Sequence, residues 1–137
     1  MPFDWREYLE VAHFLRGQGG GSFSEEAALR SLISRAYYAA YGYALRYSRD
    51  HLGFVPRSRL EDRTQDHGRL RAHLRQRRRA FVASKLEQLR DWRNVCDYDD
   101  SPPTFDFRHR ATDAIAAAEY IIRALPPPTP SSATTGS

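Results

Sequence analysis

Chemistry needs charged and polar side chains in company, and the densest company in this sequence is 89-LRDWRNVCDYDD-100. Arg93 falls four residues after Leu89 and seven after Leu86, on the edge of an apolar seam that Cys96 continues. A guanidinium in that position needs a partner, because burying it unpaired is costly. Asp97, at i+4, is the local candidate and would make the pair structural. A phosphate, or a second copy of the chain, is the other candidate. Asp97, Asp99 and Asp100 gather at the negative end of their own helix dipole, where acids are disfavoured. An Arg from elsewhere is expected to meet them, and Asp99 and Asp100 also suit the turn into Ser101-Pro102-Pro103.

A second concentration is 69-RLRAHLRQRRR-79, which holds no acid. Arg69, Arg71, Arg75, Arg78 and Arg79 are its candidate nucleic-acid contacts. Arg71, Arg75 and Arg78 or Arg79 would share one helix face at spacings of three and four. Guanidinium groups bind phosphate in a bidentate fork and stack on bases. The same run also reads as a solvated helix face, and both readings stay open.

Other patterns offer less. Arg46 and His51 in 46-RYSRDH-51 form an Arg–His pair of a kind that chance supplies in an Arg-rich chain, and they read as surface. His67 and His73 border the basic run, where they could assist RNA binding or simply lie exposed. No His pair with a carboxylate has metal-ligand spacing, no glycine-rich phosphate loop follows a strand, and no nucleophile motif occurs. Neither metal nor cofactor is expected.

The elements that must position these residues follow from helical periodicity. Asp4-Trp5-Arg6-Glu7 is a capping box opening a first helix, which should stop at 17-GQGGGS-22. Ser22 or Ser24 opens a long second helix that runs to His51 before Gly53. Its Leu29, Leu32, Ile33, Ala36, Ala40, Tyr43, Ala44 and Tyr47 recur at three and four, with Tyr37, Tyr38 and Tyr41 widening the apolar face. Small residues at Ala39, Ala40 and Gly42 would let another helix approach closely. A short basic helix is expected from about 67 to 76, then a helix from about 78 to 98 carrying Phe81, Val82, Leu86, Leu89 and Trp92. Consecutive prolines close that helix. Thr104 or Asp106 caps a last helix with an Ala/Ile stripe ending at Leu125. The expected fold class is all-α, an up-and-down bundle of four to five helices over 1–125, with a disordered tail at 126–137.

Bulk properties agree. One domain suits 137 residues, and 41% hydrophobic with 28% charged residues is ordinary for a globular chain. No apolar run is long enough for a membrane span, and MPFDWREYLE lacks the form of a signal peptide. One cysteine, Cys96, excludes an internal disulfide. A cytoplasmic protein is expected, with a net charge of +4 drawn almost wholly from Arg.

Two stretches together resemble the small bacterial HEPN-domain proteins (higher eukaryotes and prokaryotes nucleotide-binding domain). The first is 34-SRAYYAAYGYALRYSRDHLG-53, similar to their Ser-Arg-Ala-Tyr-Tyr-Ala helix. The second is 89-LRDWRNVCDYD-99, similar to a Leu-Arg-x-x-Arg-x-x-Ala-Asp-Tyr stretch that ends a later helix. Helix order and the Ala-rich closing helix extend the likeness over residues 4–125.

The resemblance implies a bundle that often forms a homodimer. In many relatives, Arg followed four to six residues later by His makes a metal-independent ribonuclease site. The 2′-hydroxyl of RNA is then the nucleophile, and the protein supplies proton transfer and positive charge. Carried onto this chain, the site comprises Arg93, Asn94, Asp97 and Tyr98, with Tyr98 standing where those relatives have His. A phenol ionises near 10 and is badly poised as a neutral-pH base. On a regular helix Tyr98 would also point about 140° from Arg93. Three functions therefore stay open: a toxin-like RNA-cleaving or RNA-binding protein, a non-catalytic interaction module that binds nucleotide, nucleic acid or a nucleotidyltransferase antitoxin partner, and a helical assembly protein with a structural Arg93–Asp97 pair.

Overall fold

A computed structural model of the chain describes residues 2–57 and 64–126. Five helices follow in order: α1 (Arg6–Leu15), α2 (Glu25–His51), α3 (Asp66–Gln76), α4 (Ala80–Tyr98) and α5 (Phe107–Ala124). They form an all-α bundle, and no strand occurs among the described residues. The tail expected to be disordered lies, from residue 127 onward, outside the described residues. So does 58–63 of the connection between α2 and α3.

Helix α2 is the hub, since it packs against each of the other four. Its sequence explains why. Leu29, Leu32, Ile33, Ala36, Tyr37, Ala40 and Ala44 are buried, and Ala39, Gly42 and Ser48 are buried beside them. Small side chains thus widen the contact surface beyond a single stripe. Gly42 shows the closest approach: a Cβ placed there would lie 2.0 Å from the Trp5 indole, so the indole sits directly on the α2 backbone.

The ends follow local chemistry. Ser24 Oγ accepts from the Ala27 amide at 3.0 Å and Asp106 Oδ1 from that of His109 at 3.1 Å, satisfying first-turn donors. At the first helix Asp4 accepts from the Arg6 amide at 3.0 Å and is forked by the Arg6 guanidinium, so Glu7 makes no reciprocal capping bond. Gly53, at φ 72°, ends α2 in a left-handed conformation that Gly adopts without strain.

Helix α4 buries Val82, Leu86, Leu89 and Cys96. Phe81, expected in the same stripe, is 59% exposed and rests edge-on against Tyr120 at 5.0 Å. Helix α3 ends at Gln76 and Arg78 adopts φ 63°, so Arg78 and Arg79 leave the face that Arg71 and Arg75 share. Among the described residues no helix is long and apolar enough to cross a membrane.

Candidate functional site

Arg93 is held inside its own bundle. Its side chain is 12% exposed; Nη1 donates to Tyr38 Oη at 2.9 Å and Nη2 to Asn94 Oδ1 at 2.7 Å. Asp97, the partner expected from sequence, is the longest contact at 3.5 Å. Nε is buried with no partner. The guanidinium also lies 5.4 Å from the ring centroids of both Tyr37 and Tyr38, a cation–π arrangement in which aromatic faces share the charge. Tyr38 receives a second cation, Arg35, at 5.4 Å.

Tyr98 ends α4, and its ring is 5.9 Å from the Arg93 guanidinium although its side chain is 76% exposed. The long Arg side chain spans part of the angular gap that a regular helix imposes. The expected quartet Arg93, Asn94, Asp97 and Tyr98 is thus gathered, with Tyr98 at its solvent edge.

An Arg from another helix does reach the end of α4, but it meets backbone carbonyls, and among the described residues no Arg from another element pairs with the carboxylates of Asp97, Asp99 or Asp100. Arg30 Nη1 donates to the carbonyls of Cys96 and Asp99, both at 2.8 Å, and Nη2 to Asp100 at 3.3 Å. These carbonyls belong to the last turn and the chain just beyond it, which no helical amide can satisfy. Glu26 orients the same guanidinium at 2.9 Å, and Phe107 lies beneath it at 4.8 Å. Burial pushes the Cys96 thiol up to about 12, which leaves it an unreactive core residue.

Behind Arg93 stands a group of residues that periodicity had treated as plain core or surface. Tyr37 is 1% exposed, and its hydroxyl is hydrogen-bonded to His67 Nδ1 on α3. The His67 ring stacks on Tyr41 at 4.0 Å and 2°. It is half-buried rather than exposed, and burial, reinforced by the charges of Arg90, Arg93 and Arg71, pulls its pKa down to about 4. Burial likewise pushes the Tyr41 phenol up to about 12. Tyr41 and His67 also line a recess of 520 Å³ together with Arg49, Arg57 and Asp66. The signal in the sequence was three phenols on a burying face: a buried hydroxyl requires a hydrogen-bond partner.

The basic run divides. The charge of Arg71 acts on both His67 and Tyr37, and that of Arg90 on α4 acts on His67; neither has a carboxylate partner among the described residues. Arg69 is committed to the fold, paired with buried Asp66 at 2.5 Å and bonded to the Val55 carbonyl at 3.0 Å. Arg75 pairs with Glu87 at 2.9 Å, and Arg79 bonds the Arg77 carbonyl at 2.7 Å. Arg46 pairs with Asp50 at 3.8 Å while the His51 ring tilts against Tyr47, as expected of surface residues. Among the described residues no group of three His, Cys, Asp or Glu side chains could hold a metal.

No family model, curated protein or solved structure matches the chain. Around His67 the charge is mainly positive: Arg90, Arg93 and Arg71 oppose its protonation and buried Asp66 favours it, while Asp97 lies 3.5 Å from Arg93. Such an arrangement favours an anion that can reach several guanidiniums at once.

Proposed function

We propose that this chain is a HEPN-type, RNA-directed protein whose phosphate contacts centre on Arg71, Arg90 and Arg93. The supporting observation is that the charges of Arg71, Arg90 and Arg93 act together on His67, opposed by Asp66, with the Arg93 guanidinium 5.4 Å from the ring of Tyr37, whose hydroxyl meets that imidazole. Aromatic rings accompany the cations, since the Tyr38 ring lies 5.4 Å from both Arg35 and Arg93 and Tyr98 stands exposed 5.9 Å from Arg93. Cations tracking phosphates beside rings on which bases stack is the general solution for single-stranded nucleic acid. In the enzymatic form of this proposal, the RNA 2′-hydroxyl loses its proton to solvent and attacks its own phosphodiester. The P–O5′ bond breaks to leave a 2′,3′-cyclic phosphate and a 5′-oxygen that takes up a proton from water to become a hydroxyl, and Arg93 stabilises the charge that develops. A homodimer, in which two such sites face one groove, is part of the same proposal.

A non-catalytic module, taking up RNA, nucleotide or a nucleotidyltransferase partner, is the second reading. It is favoured by Arg93 spending both terminal nitrogens on Tyr38 and Asn94, and by the absence of His from α4.

The deciding experiment incubates the purified protein with labelled single-stranded RNA in chelator and follows binding and cleavage separately. Arg71→Gln with Arg90→Gln should weaken binding by about tenfold or more, as expected for losing two charge-assisted phosphate contacts. Equal affinity of parent and double variant would remove the proposed site. Binding without cleavage would select the non-catalytic reading.

A further inference from the structure

His67 is half-buried on α3, bonded to Tyr37 and stacked on Tyr41. Its surroundings specify which of its nitrogens bears hydrogen. Tyr37 Oη has one hydrogen-bond partner, His67 Nδ1. A phenol keeps its proton at every ordinary pH, and burial of Tyr37 strengthens its hold. With no other acceptor beside it, the hydroxyl donates to Nδ1. A neutral imidazole has one N–H, which must then reside on Nε2. The ring consequently offers a donor, with no lone pair free to act as a base. Its plane is fixed by Tyr41, parallel at 4.0 Å, and it borders the open recess of 520 Å³. No described residue accepts a hydrogen bond from Nε2. A neutral N–H donor, locked in tautomer at the edge of a recess that Arg49 and Arg57 also line, is suited to an anionic oxygen.

We propose that His67 is a direct phosphate contact of the RNA site, donating from Nε2, and that Tyr37 is the positioning residue that holds it in the donating tautomer. This rests on the RNA-directed reading and deepens it.

The proposal has a proton-linked consequence. The groups around the imidazole are Tyr37 and Tyr41 from α2, Asp66 and Arg71 from α3, and Arg90 and Arg93 from α4, with Arg49 of α2 and Arg57 lining the same recess. In the free protein burial keeps the ring neutral, reinforced by cations that outweigh Asp66. A bound phosphodiester brings one negative charge, offsets them, and makes protonation easier. The added proton goes to Nδ1, and the Tyr37 hydroxyl rotates to accept from it. Binding therefore takes up a proton at mildly acidic pH, and affinity increases as pH falls.

The test uses a short fluorescent oligouridylate, whose bases and diesters do not titrate between pH 5 and pH 8, at constant ionic strength with chelator. Anisotropy should show Kd tightening about tenfold from pH 8 to pH 5 for the parent, one decade of proton-linked affinity. His67→Asn should abolish that slope and weaken binding at pH 5 by about tenfold, and Tyr37→Phe should weaken it by roughly threefold to tenfold while keeping the ring. Should His67→Asn fail to fold, proton–nitrogen spectra of the parent give the same answer: an Nε2–H tautomer whose resonances shift on adding oligouridylate. A parent-like Kd and pH slope in His67→Asn, or unmoved His67 resonances, overturns the assignment while Arg71→Gln and Arg90→Gln still report on the RNA site. A parent protein that binds no oligouridylate at any pH overturns the RNA reading and this inference together.

Discussion

Tyr41 and His67 lie face to face, ring centroids 4.0 Å apart and planes 2° from parallel. The contact joins the long helix α2 to the first turn of α3. It places an imidazole where burial and three arginines oppose its protonation.

That opposition has a sign. The folded-state value, about 4, lies below the ordinary 6.5, so the unfolded chain binds the proton more readily. Stability from this group is complete above about pH 6.5 and is lost as pH falls through the folded value. Thermal melts from pH 7 to pH 4.5 should show a loss of roughly 1–2 kcal/mol from this half-exposed ring, after allowance for solvent screening. The loss should vanish in His67→Phe. An unchanged acid limb in that variant would assign the effect to other groups.

Arg93→Met should leave stability within about 1 kcal/mol of the parent, because it removes a buried charge whose Nε already lacks a partner and retains the apolar stem. The same change withdraws one of the cations facing His67. Its titration, followed by NMR, should therefore move to higher pH. A large fall in Tm with no movement of His67 would make Arg93 purely a structural residue.

Arg30→Met removes the donors that close α4. Three carbonyls, those of Cys96, Asp99 and Asp100, lose their partner at once. The expected cost is about 2 kcal/mol, in line with hydrogen bonds from a charged group. Amide exchange should accelerate from about residue 97 to 100 and stay slow around Leu86 and Leu89. Uniform acceleration along α4 would argue against a local cap.

Gly42→Ala sets helix propensity against packing. Alanine gains about 1 kcal/mol over glycine in a helix interior. Its Cβ would nevertheless collide with the Trp5 indole at 2.0 Å, and overpacking of this kind costs about 1–3 kcal/mol. A lower Tm is the expected outcome; a stabilised variant would mean that the indole moves aside freely.

The architecture was legible because each boundary is written in local chemistry. Ser24, Gly53, Asp106 and the Pro102-Pro103 pair mark ends through capping, left-handed backbone or a missing amide. The small residues around Gly42 announced a close helix contact, though which side chain filled it was not stated by any pattern. The site was legible only along α4, where Arg93, Asn94, Asp97 and Tyr98 are neighbours in sequence. Tyr38, which holds Arg93 from another helix, is 55 positions away. Its role depends on the register between α2 and α4, which neither helix encodes alone. Phenols also count as apolar in a periodicity, so Tyr37 and Tyr41 concealed a polar contact within a greasy face. Phe81 failed in the opposite direction, since its position in the repeat suggested burial and the bundle leaves it outside.

The chain has two tryptophans, and the bundle sets them in unlike surroundings. Trp5 presses on the backbone at Gly42, whereas Trp92 lies 5.2 Å below the Arg110 guanidinium. One indole therefore watches the clasp between α1 and α2, and the other the seam between α4 and α5. Emission from this protein is the sum of two separate optical reporters, so detachment of the first helix and loosening of the last carry distinct spectral signatures.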